Sequence, residues 1–228
     1  MTMTRLLYSL AGTDLTRPFS PHCWKIILAL RHKGLSFEEK PLAFTEIPKV
    51  EEGVSKIVPI LRDGDTVVAD SFQIALYLEE AYPDRPSLFR GEGGKALARF
   101  VEGYSQSTIH PAISAIALMD IYNMISPADQ AHFRKTREAL FGKVLEEIFP
   151  DRDGAIAAFP AKLQPLRHML RSQPFIGGEK PLFADYIVFG AFQWLKIVTG
   201  SIFLPEDDPA AQWFERCAAL GLVQADAA

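Results

Sequence analysis

The chain has 228 residues, of which 48% are hydrophobic and 23% charged, with a formal net charge of −4. This is the composition of an ordinary globular protein, and the length suits one large domain or two modest ones. Acidic and basic residues are spread evenly, which argues against nucleic acid as a partner. Because Asp185 and Lys196 interrupt the most apolar segment, residues 182–204, that segment predicts a buried helix and no membrane span.

The cysteines and histidines exclude two further classes of protein. Cys23 and Cys217 are too few for a disulfide framework. The five histidines show no spacing typical of a zinc site. We therefore expect a cytoplasmic protein that holds no metal.

The first forty residues predict a βαβ unit. Residues 6–10 form an apolar run typical of a buried strand, and a helix follows with Ser20 at its N-cap, Pro21 at its first position and Gly34 beyond its end. Residues 36–42 leave room for a second strand. A crossover of about a dozen residues favours a parallel pair.

The next segment predicts a ββα unit after an irregular stretch over residues 43–56. Residues 58–61 and 66–69 flank an Asp-Gly turn and indicate a hairpin. Asp70 and Ser71 then begin a helix that runs to about residue 82. The order βαβ-ββα is compatible with a thioredoxin-like fold.

The composition changes after a Pro- and Gly-rich linker at about residues 83–94. Beyond it the pattern is helical, with runs over residues 95–125, 126–148, 155–171, 183–198 and 209–220. We therefore expect a domain over residues 1–86 and an all-α domain over residues 95–228.

Ser20 is the first residue with a predicted chemical role. In a thioredoxin-like redox protein, the first cysteine of a Cys-x-x-Cys motif stands at this helix N-terminus, where free backbone N–H groups stabilise a thiolate. Here a serine holds that position and only the second cysteine, Cys23, remains. The structural alternative is that Ser20 and Pro21 merely begin a helix.

Two further pairs of residues have a predicted binding role. A cis bond between Val58 and Pro59 would aim the Val58 backbone at an incoming peptide, although an ordinary edge proline is the alternative. Asp70 and Ser71 provide an acid and a hydroxyl beside free N–H groups, suited to the ammonium and carboxylate of an amino acid. Simple capping is the alternative for that pair.

Together these three features resemble the cytosolic glutathione transferases, and the resemblance covers nearly the whole chain. Residues 20–25, 29–34, 44–45 and 77–86 look most like the β-etherase and etherase-like class. The resemblance implies a thioredoxin-like glutathione-binding domain followed by a helical domain, with glutathione as co-substrate. It also implies attack of its thiolate on an aromatic electrophile, extending to β-aryl ether cleavage, and a homodimer.

The resemblance also assigns roles to residues. Ser20 would donate a hydrogen bond to the glutathione sulfur, while Val58 and Pro59 would hold the cysteinyl backbone. Asp70 and Ser71 would hold the γ-glutamyl end. The candidates for the glycyl carboxylate are Arg17, Lys49 and Lys56, and those for the electrophile are Phe19, Tyr104 and Ser107.

Two other functions remain open at this point. One is thiol–disulfide exchange through Cys23, which its position inside the helix argues against. The other is a non-catalytic carrier of glutathione and aromatic ligands. In addition, Asp185 resembles the acid of the family's buried capping box, although Leu182 replaces the usual hydroxyl at the N-cap.

Overall fold

The computed structural model describes residues 5–222. Its first part is a four-stranded sheet in the order β2-β1-β3-β4. The strands are β1 (Arg5–Leu10), β2 (Phe37–Leu42), β3 (Ile60–Asp63) and β4 (Thr66–Ala69). Strand β1 is parallel to β2 and antiparallel to β3, and β3 is antiparallel to β4. The predicted βαβ-ββα order is thus confirmed.

Two helices complete this domain, α1 (Pro21–His32) and α2 (Ser71–Ala81). Helix α1 has buried residues nearly all along its length because it lies between the sheet and the helical domain. Its end is tied to α2 by Lys33, whose Nζ lies 2.9 Å from Glu79 Oε2. The irregular stretch contains two short 3₁₀ turns, Ile47–Lys49 and Glu51–Gly53.

The second part is helical. Its helices are α3 (Glu92–Tyr104), α4 (His110–Met124), α5 (Pro127–Phe141), α6 (Arg152–Ala158), α7 (Gln164–Leu170), α8 (Phe183–Thr199) and α9 (Pro209–Leu222). None of the helices within residues 5–222 combines the length and hydropathy that a bilayer crossing needs. The thioredoxin-like domain followed by a helical domain confirms the expected fold class.

Several boundaries differ from the sequence prediction. Helix α3 begins inside the expected linker, and a π turn, Ser105–Ile109, separates it from α4. Helix α5 ends early because Gly142 adopts a left-handed conformation with φ of +66°. A 3₁₀ turn, Phe159–Leu163, divides the run predicted over residues 155–171. The expected domain ends, residues 1–4 and 223–228, lie outside the described residues.

Helix α8 holds the two domains together. Gly190 lies so close to the first turn of α1 that a Cβ atom there would meet the Pro21 carbonyl oxygen at 2.2 Å. The Trp24 ring packs edge-on against Phe189, with centroids 6.2 Å apart. The start of α1 is therefore held against the helical domain by direct backbone contact.

Asp185 organises the beginning of α8. Its carboxylate is fully buried and accepts hydrogen bonds from the backbone N–H groups of Ile176, Gly177 and Leu182. The Trp213 indole donates a fourth at 2.9 Å. The bond to the Leu182 N–H is the acid half of a capping box, so this helix start has its cap despite the missing hydroxyl.

We predict that Asp185→Ala lowers the free energy of unfolding by about 4 kcal/mol, because four buried donors lose their acceptor. Urea unfolding followed by far-UV circular dichroism measures this change. Asp207→Ala is the control, since Asp207 is exposed. A loss below about 1 kcal/mol for Asp185→Ala would contradict the prediction.

Candidate functional site

Three segments meet at one edge of the sheet. The Phe19 N–H donates to the Leu10 carbonyl at 2.9 Å, which brings the start of α1 to the end of β1. Ile60 pairs with Ala69 at the end of the β3–β4 ladder, so Pro59, which precedes Ile60, lies beside the start of α2, which follows Ala69. The three local features found in the sequence therefore gather at one place.

Ser20 is buried at the N-cap of α1. Its Oγ accepts from the Cys23 N–H at 3.4 Å, a distance typical of a weak hydrogen bond. A hydroxyl carries one donor and two acceptor positions. The Ser20 O–H is thus free to donate to a group in the adjoining cavity while the helix N–H groups add a positive partial charge.

The Val58–Pro59 peptide bond is cis, as the sequence predicts. Strand β3 begins only at Ile60, so the two residues precede the strand and do not open it. Within residues 5–222 the Val58 N–H and C=O make no hydrogen bond. They can therefore pair with the backbone of a bound peptide.

Asp70 has a φ of +75°, a region that residues other than glycine seldom adopt. Its Oδ1 accepts from the N–H groups of Phe72 and Gln73 at 2.9 and 3.0 Å. The side chain is exposed, and Oδ2 makes no bond to the described residues. One oxygen is therefore available to a ligand ammonium. Ser71 is the first residue of α2 and is buried.

A cavity of about 310 Å³ lies between the two domains beside Ser20. Its walls are mostly apolar and aromatic. The first domain contributes Leu10, Phe19, Ser20, Pro21, His22, Phe44, Ile47, Lys56, Ile57 and Val58. The helical domain contributes His110, Ser114, Ile121, Phe133, Arg137 and Trp194.

Two of the candidate site residues besides Ser20 and Val58 line this cavity, namely Phe19 and Lys56. Lys49 is exposed on a 3₁₀ turn and does not line it. Arg17 donates to the carbonyl of Ile197 in α8.

The other two electrophile candidates point elsewhere. The Tyr104 hydroxyl donates to the Lys162 carbonyl at 2.5 Å, and the ring lines a separate cavity of about 110 Å³ within the helical domain. Ser107 is exposed on the π turn, with its Oγ 3.4 Å from the Thr108 hydroxyl.

His22 lines the cavity and is half-buried. Its ring centroid lies 5.3 Å from that of His110, which in turn lies 5.6 Å from Trp194. Burial, aided by the nearby Lys25 ammonium, lowers the pKa of His110 to about 3 and that of His22 well below its usual value. Both imidazoles are therefore neutral near pH 7.

Cys23 is fully buried within α1. Burial raises the pKa of its thiol to about 12, and Sγ lies 3.9 Å from the Tyr8 carbonyl oxygen. The thiolate is the reactive form of cysteine, so this side chain is inert in the folded protein. Within residues 5–222, no cluster of His, Cys, Asp and Glu side chains is arranged to hold a metal ion.

The protein thus consists of a thioredoxin-like domain and a helical domain with a cavity between them. A serine stands at the N-terminus of the first helix, beside that cavity. Family models of the glutathione S-transferase N-terminal and C-terminal domains match residues 15–86 and 96–220. The chain belongs to the glutathione S-transferase family, as the sequence resemblance predicts.

Individual proteins similar to this chain include the two that follow. The chain is 28% identical to the glutathione S-transferase-like protein ustS of Aspergillus flavus, over 82% of this chain and 76% of that protein. The fold is similar, with a TM-score of 0.84, to the crystal structure of the glutathione S-transferase CsGST83044 of Ceriporiopsis subvermispora in complex with glutathione. The two chains are 22% identical, and the match covers 98% of this chain and 100% of that one.

A third protein is similar in structure. The β-etherase LigF from Sphingobium sp. strain SYK-6 has a TM-score of 0.69 and 20% identity, covering 99% of this chain and 100% of that one. This similarity shows a shared fold.

We predict that stability falls as the pH is lowered below 6.5. The unfolded chain binds a proton at His110 near pH 6.5, whereas the folded protein binds it only near pH 3. Each such histidine contributes a slope of about 1.4 kcal/mol per pH unit between those values. In urea unfolding between pH 4 and 7, His110→Gln should show a smaller slope than the wild type.

The exposed His132 gives the matched control, His132→Gln, which should keep the wild-type slope. Equal slopes for the wild type and His110→Gln would contradict a buried neutral His110.

Proposed function

We propose that this protein is a glutathione transferase in which Ser20 stabilises the glutathione thiolate for attack on an aromatic electrophile. The observation that carries the proposal is the position of Ser20. Its hydroxyl stands at a helix N-terminus and lines a largely apolar cavity, next to the Val58 backbone, which makes no hydrogen bond to the described residues 5–222. A sulfur held there has hydrogen-bond donors on one side and an apolar binding space on the other.

Thiolate stabilisation is the chemical task at this site. A free thiol has a pKa of about 8.5, so only a few per cent is ionised near pH 7. Each unit by which the pKa falls corresponds to about 1.4 kcal/mol of preferential stabilisation of the thiolate. One hydroxyl donor together with a helix N-terminus can supply that amount.

The remaining groups suit the rest of glutathione. We assign the Val58 N–H and C=O to the cysteinyl backbone, with Pro59 holding their direction, and Asp70 with Ser71 to the γ-glutamyl end. Lys56 lines the cavity and is the candidate for the glycyl carboxylate that the geometry favours over Arg17 and Lys49.

The reaction follows from this placement. The thiolate sulfur forms a C–S bond with the electrophilic carbon, and the leaving group departs with its electron pair. In β-aryl ether cleavage that group is an aryl oxide, which then takes up a proton. The fold shared with a β-etherase supports including ethers among the substrates.

The assembly and location are also part of the proposal. Phe100 on α3 is 74% exposed, which supports a homodimer that covers this face. Sedimentation velocity would distinguish the 25.4 kDa chain from its dimer. Cys23 and Cys217 are both free thiols, which supports a reducing compartment such as the cytoplasm.

A glutathione-dependent turnover screen tests the function directly. It would compare β-aryl ethers, activated aryl halides and glutathionyl disulfides, with the products identified by mass. Conjugation or ether cleavage is the expected result. Glutathione binding without any product would instead show a ligand carrier, and reduction of disulfides alone would show an oxidoreductase.

We predict that Ser20→Ala lowers kcat/KM about 10- to 100-fold, because the thiolate loses a charge-assisted hydrogen bond. Ser20→Cys should lose conjugation as well and gain a glutathione adduct at the new thiol, whose pKa the helix N-terminus lowers. Mass spectrometry after incubation with oxidised glutathione detects the adduct. Cys23→Ser is the control and should retain turnover. Wild-type turnover in Ser20→Ala would show that Ser20 is only a helix cap.

We predict that Asp70→Asn weakens glutathione binding while leaving the fold intact. Asparagine caps helices and tolerates a positive φ as well as aspartate does, so folding should change by less than about 1 kcal/mol. The ligand ammonium, however, loses its charged acceptor, which corresponds to roughly a tenfold loss of affinity or more. Calorimetric titration and urea unfolding of the same variant separate the two effects. Unchanged affinity would remove Asp70 from the binding site.

A further inference from the structure

Arg137 is the fixed positive charge that the helical domain contributes to the cavity beside Ser20. It lies one helical turn after Phe133 on α5, and its Cζ is 4.7 Å from the centroid of that ring. Phe133 is itself buried against Phe44, which belongs to the first domain and lines the same cavity. The guanidinium is therefore held at the wall where an electrophile would lie.

Arg137 has no carboxylate partner among residues 5–222. Its neighbour Arg134 differs, because its guanidinium donates hydrogen bonds to the carboxylates of both Glu138 and Glu146. Burial lowers the pKa of Arg137. A half-buried guanidinium without an anion is a costly arrangement, and an anionic ligand would relieve its cost.

The other charged residue in the cavity wall, Lys56, is also positive. The lining residues of the cavity include Lys56 and Arg137 but neither aspartate nor glutamate. His22 and His110 are neutral near pH 7 and add hydrogen-bonding atoms without charge. Lys56 belongs to the first domain, on the side assigned to glutathione, whereas Arg137 faces the cavity from the helical domain.

We propose that Arg137 selects aromatic electrophiles that carry an acidic group, such as a ring carboxylate, over neutral ones of the same shape. This inference rests on the proposed transferase function and names its class of second substrate. The aromatic walls take the ring, and the guanidinium pairs with the carboxylate in the geometry that arginine favours. Arg137 is thus a specificity-determining residue.

A matched pair of electrophiles tests this, namely 4-chloro-3-nitrobenzoate and its neutral amide, 4-chloro-3-nitrobenzamide. In both, the glutathione sulfur bonds to the carbon that carries chlorine, and chloride leaves with the electron pair. Arg137→Gln should lower kcat/KM for the benzoate about 10- to 100-fold. It should change the value for the amide less than about threefold, and the KM for glutathione should stay constant.

Two further variants sharpen the comparison. Arg137→Lys keeps the charge and should restore part of the preference for the benzoate. Arg134→Gln removes the same residue type from the same helix away from the cavity, and it should leave the benzoate-to-amide ratio unchanged. An equal loss for both electrophiles in Arg137→Gln would overturn the proposal. So would a rise in the KM for glutathione alone, since Arg137 would then bind the tripeptide.

A binding measurement separates failure of this inference from failure of the transferase function. Calorimetry would titrate the benzoate and the amide into protein saturated with S-methylglutathione, which cannot react. If no electrophile is turned over, the transferase proposal fails. Tighter binding of the benzoate that is lost in Arg137→Gln would still support the anion preference, and equal binding of both compounds would refute it.

Discussion

The site depends on how the first turn of α1 is held. The N-terminal end of this helix adjoins the cavity, and a helix terminus acts on a ligand only if it stays in place. The Gly190 contact with the Pro21 carbonyl fixes that turn against α8. The Phe19 bond to Leu10 fixes it against the sheet. One contact comes from the helical domain and the other from the sheet, so the geometry at Ser20 requires both domains. The cavity beside Ser20 lies where these two domains pack together.

The local conformation in the N-terminal half of the candidate site could be predicted from the sequence because its signals are local. Three signals each restrict the backbone within three or four residues: a serine before a proline, a proline before a strand, and an acid before a helix. Ser20, Pro59 and Asp70 carry these signals. The sheet register of the structure then places them together.

The other half could not be predicted because it depends on packing between distant segments. Tyr104 and Ser107 follow the linker at a plausible distance, yet Tyr104 lines a separate cavity and Ser107 is exposed. His22 and Arg137 carry no local signal. Their surroundings arise when α4, α5 and α8 pack against the first domain, and single-sequence periodicity shows a helix face without showing what covers it.

Burial then decides which of the polar groups near the cavity can do chemistry. Cys23 lies one turn inside α1, where desolvation opposes thiolate formation, so the helix N-terminus acts on an incoming sulfur and not on this one. His22 and His110 lose their positive charge for the same reason. Arg137 cannot lose its charge near neutral pH, because a guanidinium stays protonated even when burial lowers its pKa. Desolvation therefore leaves a cavity whose wall on the helical domain carries one permanent charge among neutral groups. A single permanent charge in apolar surroundings discriminates between charged and neutral ligands more sharply than the same charge in water.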